Sequence, residues 1–428
     1  MLINTMKTKE KYKMSDLGLI PEDWEVLTGG QISEKITKGS SPNWQGFNYS
    51  SEGILFVTSE NVRDGYLDIS EPKYLPEAFN QKQKNSTLKN GDILINIVGA
   101  SIGRSAIFDL KDRIANINQA VCLFRLKDGV SNKFISYFLQ HPKCVELLIS
   151  NQSETGRPNL TLEDIRNFKF ILPPFPEQKK IASVLDTWDR TIEALGTLIS
   201  AKEKLMSGLM QALLTGESKF KEFRKDRWKK IRFGSLAETY SGLSGKTAKD
   251  FGSGSPYVPY MNVFSNSRVN VSYFDYVNVE KGETQTKVQY GDILFTISSE
   301  TPDEVGMTSV LLDNVKELYL NSFCFGVRLN DFKTLHPEFA RFYLRSSAIR
   351  EEILKLSQGS TRFNLSKNEI MKLQLIIPPT IKEQRRIASV LSKAEDEIKY
   401  LRTQMQSLQQ KKKGLMQVLL TGKKRVKI

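Results

Sequence analysis

The sequence predicts a mixed α/β fold in which two repeated α/β domains are separated by an antiparallel two-helix coiled coil, with a pseudo-two-fold relation between the halves. The main observation is an internal repeat. GLMQALLTG at 208–216 returns as GLMQVLLTG at 414–422, and IASVL at 181–185 returns unchanged at 387–391, each 206 positions later. A repeat of this length indicates two structurally similar units, each ending in a long helix.

Apolar residues at alternating steps of three and four positions predict the two long helices and give each a heptad seam. In the first helix the seam comprises Ile181, Leu185, Trp188, Ile192, Leu195, Ile199, Leu209 and Leu213. In the second it comprises Ile387, Leu391, Ile398, Leu401, Met405, Leu408, Leu415 and Leu419. Lys202 and Lys412 each interrupt the seam. We expect the two seams to pack against each other; the alternative is that each helix packs on its own domain.

Between the helices, short runs rich in β-branched and aromatic residues alternate with turn residues. Strands are predicted at 54–59, 92–99, 120–126 and 168–172, with counterparts in the second half. Helices are predicted from 134 to about 150 and from 339 to about 356. The expected order is an N-terminal segment (1–20), a first α/β domain (21–175), a central helix (176–217), a second α/β domain (218–380), a distal helix (381–422) and a basic tail (423–428).

The charge balance favours a polyanionic partner. Among 428 residues, 62 Lys and Arg stand against 48 Asp and Glu, a net charge of +14. Such a balance favours nucleic acid first, although a basic soluble protein without such a partner is the plain alternative. The three cysteines have no metal-ligand spacing, and no apolar run reaches membrane-spanning length, so we expect a cytoplasmic protein without a membrane partner.

The sequence contains no HExxH motif and no Cys/His cluster. The two histidines, His141 and His336, each precede a proline and do not occupy matching repeat positions. SGKT at 244–247 resembles the end of a phosphate-binding loop, but Tyr240 stands where that loop needs its first glycine. We therefore expect no catalytic residue, no metal site and no cofactor in this chain.

Side chains suited to DNA are concentrated in the stretches between predicted strands. Arg and Lys suit phosphates and guanine, and Asn and Gln suit adenine. The candidate DNA-binding residues are Lys38, Asn43, Trp44, Asn61, Arg63, Arg104, Gln119 and Arg157 in the first domain, and Lys246, Asn262, Ser299, Asn321 and Arg362 in the second. Repeat-matched positions such as Arg157 and Arg362 suit phosphate contacts or turns, because shared residues cannot distinguish two different sequences. The unshared loops at 38–44 and 242–250 are better candidates for reading sequence.

Several segments together resemble one known family. They are LGLIPEDW at 17–24, ITKGSSP at 36–42, GDILI at 91–95, GRPNL and TRFNL at 156–160 and 361–365, the PPxPEQxxIAxVL element from 173, and the two LMxxLLTG endings. This combination, over essentially the whole chain, resembles the specificity subunit of a type I restriction–modification system.

The resemblance implies a function and a set of partners. Each α/β domain would be a target-recognition domain that reads one half of a split site in double-stranded DNA. The paired helices would fix the gap between the halves and dock two methyltransferase subunits, which motor-nuclease subunits then join. Those partners would carry the S-adenosylmethionine, ATP and magnesium chemistry.

Two alternatives from other classes stay open on the sequence. One is a free-standing DNA methyltransferase or nuclease with an unrecognised active site, which would act on DNA without a partner protein. The other is a scaffold whose paired helices bind only protein, which would show no salt-dependent affinity for duplex DNA.

Overall fold

The computed structural model describes residues 11–111, 113–150, 159–359 and 362–428. Its described residues form two compact units: unit 1 contains those up to 195 together with 404–428, and unit 2 contains those from 196 to 403. Each unit therefore combines one α/β domain with a segment of each long helix. The predicted mixed α/β fold class is confirmed.

Unit 1 contains a four-stranded antiparallel sheet and a smaller three-stranded sheet. Its strands are β1 (Tyr12–Ser15), β2 (Gly18–Pro21), β3 (Glu25–Thr28), β4 (Ser33–Lys38), β5 (Ile54–Val57), β6 (Tyr74–Leu75), β7 (Ile93–Asn96), β8 (Ser105–Ile107), β9 (Ala115–Ile117), β10 (Val121–Leu126) and β11 (Lys169–Leu172). Its helices are α1 (Gly29–Ile32), α2 (Glu77–Lys82), α3 (Asn132–Leu139), α4 (Pro142–Ser150), α5 (Leu162–Asn167) and the start of α6 (Phe175–Leu214). The main sheet has the order β4-β10-β7-β8 and the smaller sheet the order β6-β5-β9, while β3 pairs with β11.

Unit 2 repeats the main sheet, the smaller sheet and the β3–β11 pair of unit 1, and adds one short strand pair. Its strands are β12 (Lys229–Arg232), β13 (Ala237–Ser241), β14 (Phe251–Val258), β15 (Asp275–Val277), β16 (Ile293–Thr296), β17 (Ser298–Ser299), β18 (Thr308–Val310), β19 (Tyr319–Leu320), β20 (Cys324–Leu329), β21 (Phe363–Asn364) and β22 (Gln374–Ile377). Its helices are α7 (Tyr260–Ser265), α8 (Pro337–Tyr343), α9 (Ser347–Leu356), α10 (Lys367–Ile370) and the start of α11 (Ile381–Leu419). The order β13-β20-β16-β18 matches the main sheet of unit 1, and β15-β14-β19 matches its smaller sheet. β12 pairs with β22, as β3 pairs with β11, and the added pair is β17 with β21.

The predicted strands agree with β5, β7, β10 and β11 to within a few residues. The prediction of one continuous helix after β10, and another after β20, was wrong. Each is a pair of helices, α3 with α4 and α8 with α9. In the first pair the break falls at Pro142, which has no backbone N–H to continue the hydrogen bonding of α3. In the second, Ser346 is the extended residue that precedes α9.

A Glu-Gln dipeptide fixes the start of each long helix to its domain. In unit 1, the buried Trp24 donates its indole N–H to Glu177 Oε2 at 3.1 Å. Gln178 Oε1 accepts a hydrogen bond from the backbone N–H of Ser131 at 2.9 Å, just before α3. The equivalent bonds in unit 2 run from the Trp228 indole to a glutamate and from the His336 backbone to a glutamine, both at the start of α11. The repeated Glu-Gln dipeptide thus anchors each long helix to its own domain.

The predicted seam is covered along both helices. Every seam residue is buried or half-buried. In unit 1, Leu185 of α6 shares an apolar core with Leu419 of α11. In unit 2, Leu213 shares a core with Leu391. Within each unit the residue numbers of one helix rise as those of its neighbour fall, so the segments run antiparallel. Both cores also contain domain residues, such as Trp24, so packing on the partner helix and on the domain occur together.

The two lysines that interrupt the seam form ion pairs with the neighbouring helix. Lys202 Nζ lies 2.8 Å from Glu397 Oε1 in unit 2. Lys412 bonds to Asp189 in unit 1 and lies over the ring of Tyr137. Each ammonium is partly shielded from solvent and has a carboxylate partner, so the break in the apolar pattern leaves no unpaired charge.

The C-terminal tail contacts the first domain through Arg425. Its guanidinium reaches both oxygens of Glu177 at 2.6 Å and both oxygens of Asp23 at 2.8 and 2.9 Å. Glu177 is fully buried. The hydrogen bonds to Glu177 raise the pKa of Arg425, and the bonds from Arg425 lower the pKa of Asp23.

Unit 2 lacks this arginine. Lys219 occupies the equivalent repeat position, but its ammonium bonds to the backbone oxygen of Asp226 and lies over the Trp228 ring. Glu383 is buried, and among the described residues its Oε2 has no hydrogen-bond partner. Burial therefore raises the pKa of Glu383.

We predict that Arg425→Ala destabilises the contact of the tail with unit 1 by about 3 kcal/mol, because the buried Glu177 loses its cation. Hydrogen exchange followed by mass spectrometry should show the peptides around Trp24 and the end of α11 exchanging about 100-fold faster. Lys423→Ala, an exposed neighbour in the same tail, is the matched control. Equal exchange in the two variants would show that Arg425 does not hold the tail.

Candidate nucleic-acid interface

The topology of unit 1 brings four loops to one end of its main sheet. β4 ends and β10 begins at this end, because Lys38 pairs with Cys122. β7 also ends there, with Asn96 opposite Val121, and β8 begins there with Ser105. We call the loops 39–46, 58–68, 97–104 and 118–120 the loop end of unit 1.

Backbone and side-chain hydrogen bonds hold these loops to one another. Gly39 donates its backbone N–H to Asn118 O at 3.2 Å, which joins the loop after β4 to the turn before β10. The fully buried Asn96 donates its side-chain amide to Ser59 O at 2.9 Å and to Ser101 Oγ at 3.1 Å. Asn96 thus links two further loops, a role that the sequence did not predict.

Unit 2 has an equivalent loop end, which comprises the connecting segments 242–250, 259–272 (with α7), 297–307 (with β17) and 321–323. β13 ends opposite Phe325, and β16 ends at Thr296, opposite Cys324. The two units therefore present their loops in the same topological positions.

Most of the candidate residues of unit 1 lie at its loop end. Lys38, Asn43, Trp44 and Gln119 are exposed, and Trp44 has 84% of its surface accessible. Arg63 and Arg104 are half-buried and line a cavity of about 350 Å³ with Asp64, Tyr66 and Asp68. Arg157 lies outside the described residues.

The two cavity arginines are only loosely paired. Arg63 lies 3.4 Å from Asp68, and Arg104 lies 3.9 Å from Asp64, with much of each side chain in solvent. Ion pairs of this kind contribute little to stability. Both guanidinium groups are therefore available to exchange a carboxylate for another anion.

Asn61 does not have the geometry expected of a base-reading side chain. It is 8% exposed, and its Oδ1 accepts hydrogen bonds from the N–H and the hydroxyl of Thr58 at 2.8 and 3.0 Å. Its amide nitrogen donates to Asp68 O at 2.9 Å. The side chain shapes the loop after β5, so we correct its predicted role to that of a turn-forming residue.

Two candidates in unit 2 are corrected for the same reason. Asn262 is fully buried, and its amide donates to the backbone oxygens of Asn270 and Tyr273 at 2.9 and 2.6 Å. The side chain of Lys246 is 7% exposed and forms an ion pair with Glu283. Their polar groups are engaged inside the protein.

The other candidates of unit 2 remain at or near the surface. Ser299 is half-buried on β17, and Arg362 is exposed just before β21, the strand that pairs with β17. Asn321 uses its Oδ1 to accept the backbone N–H of Phe323 at 2.8 Å. Two exposed aromatic residues at the loop ends, Tyr66 and Phe323, are not among the residues that the sequence predicted.

The repeated GDIL segment secures the opposite end of each main sheet. Asp92 is buried and forms a bidentate ion pair with Arg125, both bonds measuring 2.7 Å. Asp292 and Arg328 form the same pair in unit 2 at 2.9 and 2.7 Å. Hydrogen bonds to the aspartate raise the pKa of each arginine. This motif therefore supports the sheets from the end that lies away from the loops.

His336 and the Cys122 thiol are buried, and His141 is half-buried. Burial lowers the pKa of both His141 and His336 and raises the pKa of the Cys122 thiol to about 12. Within the described ranges, no group of three or more His, Cys, Asp or Glu could hold a metal ion. None of the helices in those ranges is long and apolar enough to cross a membrane.

Two α/β domains of one topology, each with polar and aromatic side chains exposed on clustered loops and each anchored to the long helices, define a duplicated recognition protein. A family model described as the type I restriction modification DNA specificity domain matches residues 21–202 and again 225–410. The chain therefore belongs to this family and carries its domain twice.

Two relatives that match most of the chain are both named as type I restriction enzyme specificity subunits. The chain is 25% identical over 439 residues to the putative type I restriction enzyme MjaX specificity subunit of Methanocaldococcus jannaschii, covering 98% of each protein. It is 23% identical to the EcoKI specificity subunit of Escherichia coli over 387 residues, which cover 86% of this chain and 82% of the relative.

Solved structures share the fold. A chain from a study of complex assembly and conformational transition of the type I R-M system matches with a TM-score of 0.60 at 17% identity, covering 94% of this chain and 99% of that one. A type I restriction-modification S subunit from M. genitalium matches with a TM-score of 0.54 at 17% identity, covering 92% and 96%.

Proposed function

We propose that this chain is the DNA specificity subunit of a type I restriction–modification complex, and that each target-recognition domain reads one half of a bipartite site. The duplicated specificity domain is the observation that carries this proposal. The target-recognition domains would span 21–175 and 218–380. The central and distal helices would span 176–217 and 381–422, with a short segment before the first domain and a basic tail after the second helix.

The proposed DNA contacts come from the loop ends and from positions next to them, and one of them, Arg157, is proposed from the sequence alone. They are Lys38, Asn43, Trp44, Arg63, Arg104, Gln119 and Arg157 in the first domain and Ser299, Asn321 and Arg362 in the second. Exposed or loosely paired cations suit phosphates, and the exposed amides of Asn43 and Gln119 suit base edges. Asn321, at a repeat-matched position, suits a phosphate instead. Asn61, Asn262 and Lys246 are left out as direct contacts, because their polar groups already have partners inside the protein.

The long helices would set the gap between the half-sites and dock two methyltransferase subunits, with motor-nuclease subunits joining through the complex. Apolar side chains that face solvent on these helices support a protein-binding role. Leu205 is 54% exposed and Leu198 is 41% exposed on α6, and Tyr400 is 63% exposed on α11. Large apolar groups on a solvent face suit a partner that covers them. The partners would carry the methylation and cleavage chemistry.

A domain exchange tests this function. We expect that replacing residues 25–170 by the equivalent domain of another specificity subunit changes one half of the methylated sequence and leaves the other half unaltered. The readout is methylation mapping in cells that contain the chain and its methyltransferase partner. A change in both halves would contradict the assignment of one half-site to each domain. Methylation by the purified chain alone with S-adenosylmethionine would instead favour a free-standing enzyme.

Neutralising proposed phosphate contacts should change the salt dependence of binding. We predict that Lys38→Ala and Arg104→Ala each reduce the slope of log K against log salt by about 0.9, because each removes one phosphate contact. Filter binding of duplex DNA across a salt titration measures this slope. Lys89→Ala, an exposed lysine before β7 at the opposite end of the sheet, is the matched control. A slope that falls equally in the control would locate the DNA elsewhere.

Shortening both helices tests their role as a spacer. Removing one heptad from each, residues 192–198 and 402–408, shortens a helix by about 10 Å and preserves the apolar pattern. We expect the gap between the half-sites to become about three base pairs shorter, since successive base pairs are 3.4 Å apart. Methylation mapping gives the gap directly. Half-sites of unchanged sequence at an unchanged distance would show that the helices do not set it.

A further inference from the structure

A three-residue turn of the same geometry precedes β10 in unit 1 and β20 in unit 2, which are inner strands of the main sheets. In unit 1 the turn is Asn118-Gln119-Ala120, and Asn118 Oδ1 accepts the backbone N–H of Ala120 at 3.1 Å. In unit 2 the turn is Asn321-Ser322-Phe323, and the same bond to Phe323 measures 2.8 Å. An asparagine side chain that bonds the backbone two residues later closes a compact turn. We call these two segments the asparagine turns.

Two further backbone bonds fix each asparagine turn at corresponding places. At its first residue, the turn donates an N–H to the end of the neighbouring parallel strand: to Val57 O at 3.0 Å in unit 1 and to Val258 O at 3.1 Å in unit 2. At its third residue, the turn accepts an N–H at 3.0 Å in both units, from Ile97 or Ile297. The backbone of the turn is therefore rigid and nearly the same in the two units.

The side chains on this shared frame differ sharply. Gln119 is exposed and is followed by the small Ala120 in unit 1. In unit 2 the order of sizes is reversed, because the small Ser322 is followed by Phe323, which is 59% exposed. A single exposed aromatic residue is unremarkable on a protein surface. This one occupies a fixed turn at the loop end, at the position where the repeated copy has an alanine.

We propose that the asparagine turns are specificity-determining elements, in which an invariant frame presents a different base-reading side chain to each half-site. This inference rests on the proposed function and deepens it. Gln119 would read an adenine through its amide in the half-site of unit 1. Phe323 would contact a thymine methyl group in the half-site of unit 2. These are the contacts that each side chain makes best in the major groove.

The backbone bonds explain why a turn of this kind suits base reading. A side chain on a flexible loop loses conformational freedom when it binds, which reduces the energy available for discrimination. The turn backbone is already fixed by its asparagine and by the adjoining strands. Only the side-chain rotamers of Gln119 and Phe323 remain to be ordered on binding.

A reciprocal exchange of the turn residues tests the proposal. The first variant carries Gln119→Ser and Ala120→Phe, and the second carries Ser322→Gln and Phe323→Ala. Each is assembled with the methyltransferase partner, and methylation is mapped on a library of random DNA sequences. We expect the first variant to lose at least about tenfold preference at one base of the unit 1 half-site only, and the second to do so in the other half-site only.

The half-site that is not targeted reports folding within the same molecule. A variant that still reads the untouched half is folded, so a loss confined to the targeted half supports the turn. If both variants methylate the original sequence with undiminished preference, the proposal is overturned. If the unaltered chain directs no bipartite methylation, the proposed function fails first.

If a double variant does not assemble with the methyltransferase partner, single substitutions test the proposal. Phe323→Ala should reduce preference at one base of the unit 2 half-site by about tenfold. The control is Phe332→Ala, because Phe332 is 38% exposed and follows the opposite end of β20. Equal preference in these two variants would also overturn the proposal.

Discussion

The structure depends on a hydrogen bond between a tryptophan and a buried glutamate at the start of each long helix. Trp24 and Glu177 form it in unit 1, and the same residue types form it in unit 2. The adjoining glutamine accepts a hydrogen bond from the backbone just before α3 in unit 1 and just before α8 in unit 2. One dipeptide thus joins the helix to two separate parts of its domain. Because unpaired polar groups are costly in a buried site, these bonds keep each domain in a fixed orientation on its own helix segments.

The buried glutamate of unit 1 accepts hydrogen bonds from Arg425, whereas Glu383 Oε2 in unit 2 has no hydrogen-bond partner among the described residues. The pH dependence of stability is therefore opposite in the two units. Arg425 lowers the pKa of Asp23, so its contribution is present at neutral pH and is lost as the pH falls through that lowered value. Burial raises the pKa of Glu383 above its unfolded value. Its contribution is therefore greatest in acid and is lost as the pH rises through the raised value. Acidification should weaken the tail contact in unit 1 and relieve the buried charge in unit 2.

The sequence predicted the features that periodicity controls and missed those that depend on long-range packing. The repeat and the heptad seam are properties of spacing, and the structure buries or half-buries every seam position. Strand order was not predictable, because pairs such as β4 with β10 join distant segments. Among the candidate site residues, Asn61 and Asn262 suited base reading by type, yet both shape loops. Asparagine serves either purpose equally well, and only tertiary burial distinguishes the two.

Comparison of the two copies explains why the residues at matching positions of the loop ends can differ. The bonds that hold the asparagine turns are made by backbone atoms and by the asparagine itself, so the second and third side chains carry none of the turn's own hydrogen bonds. The Asp92–Arg125 pair and its counterpart support each sheet from the opposite end. A substitution at Gln119 or Phe323 therefore leaves the supports of the domain intact. Because the residues that stabilise each domain are separate from the exposed turn residues, the turn residues can change the DNA sequence that is recognised without changing the fold.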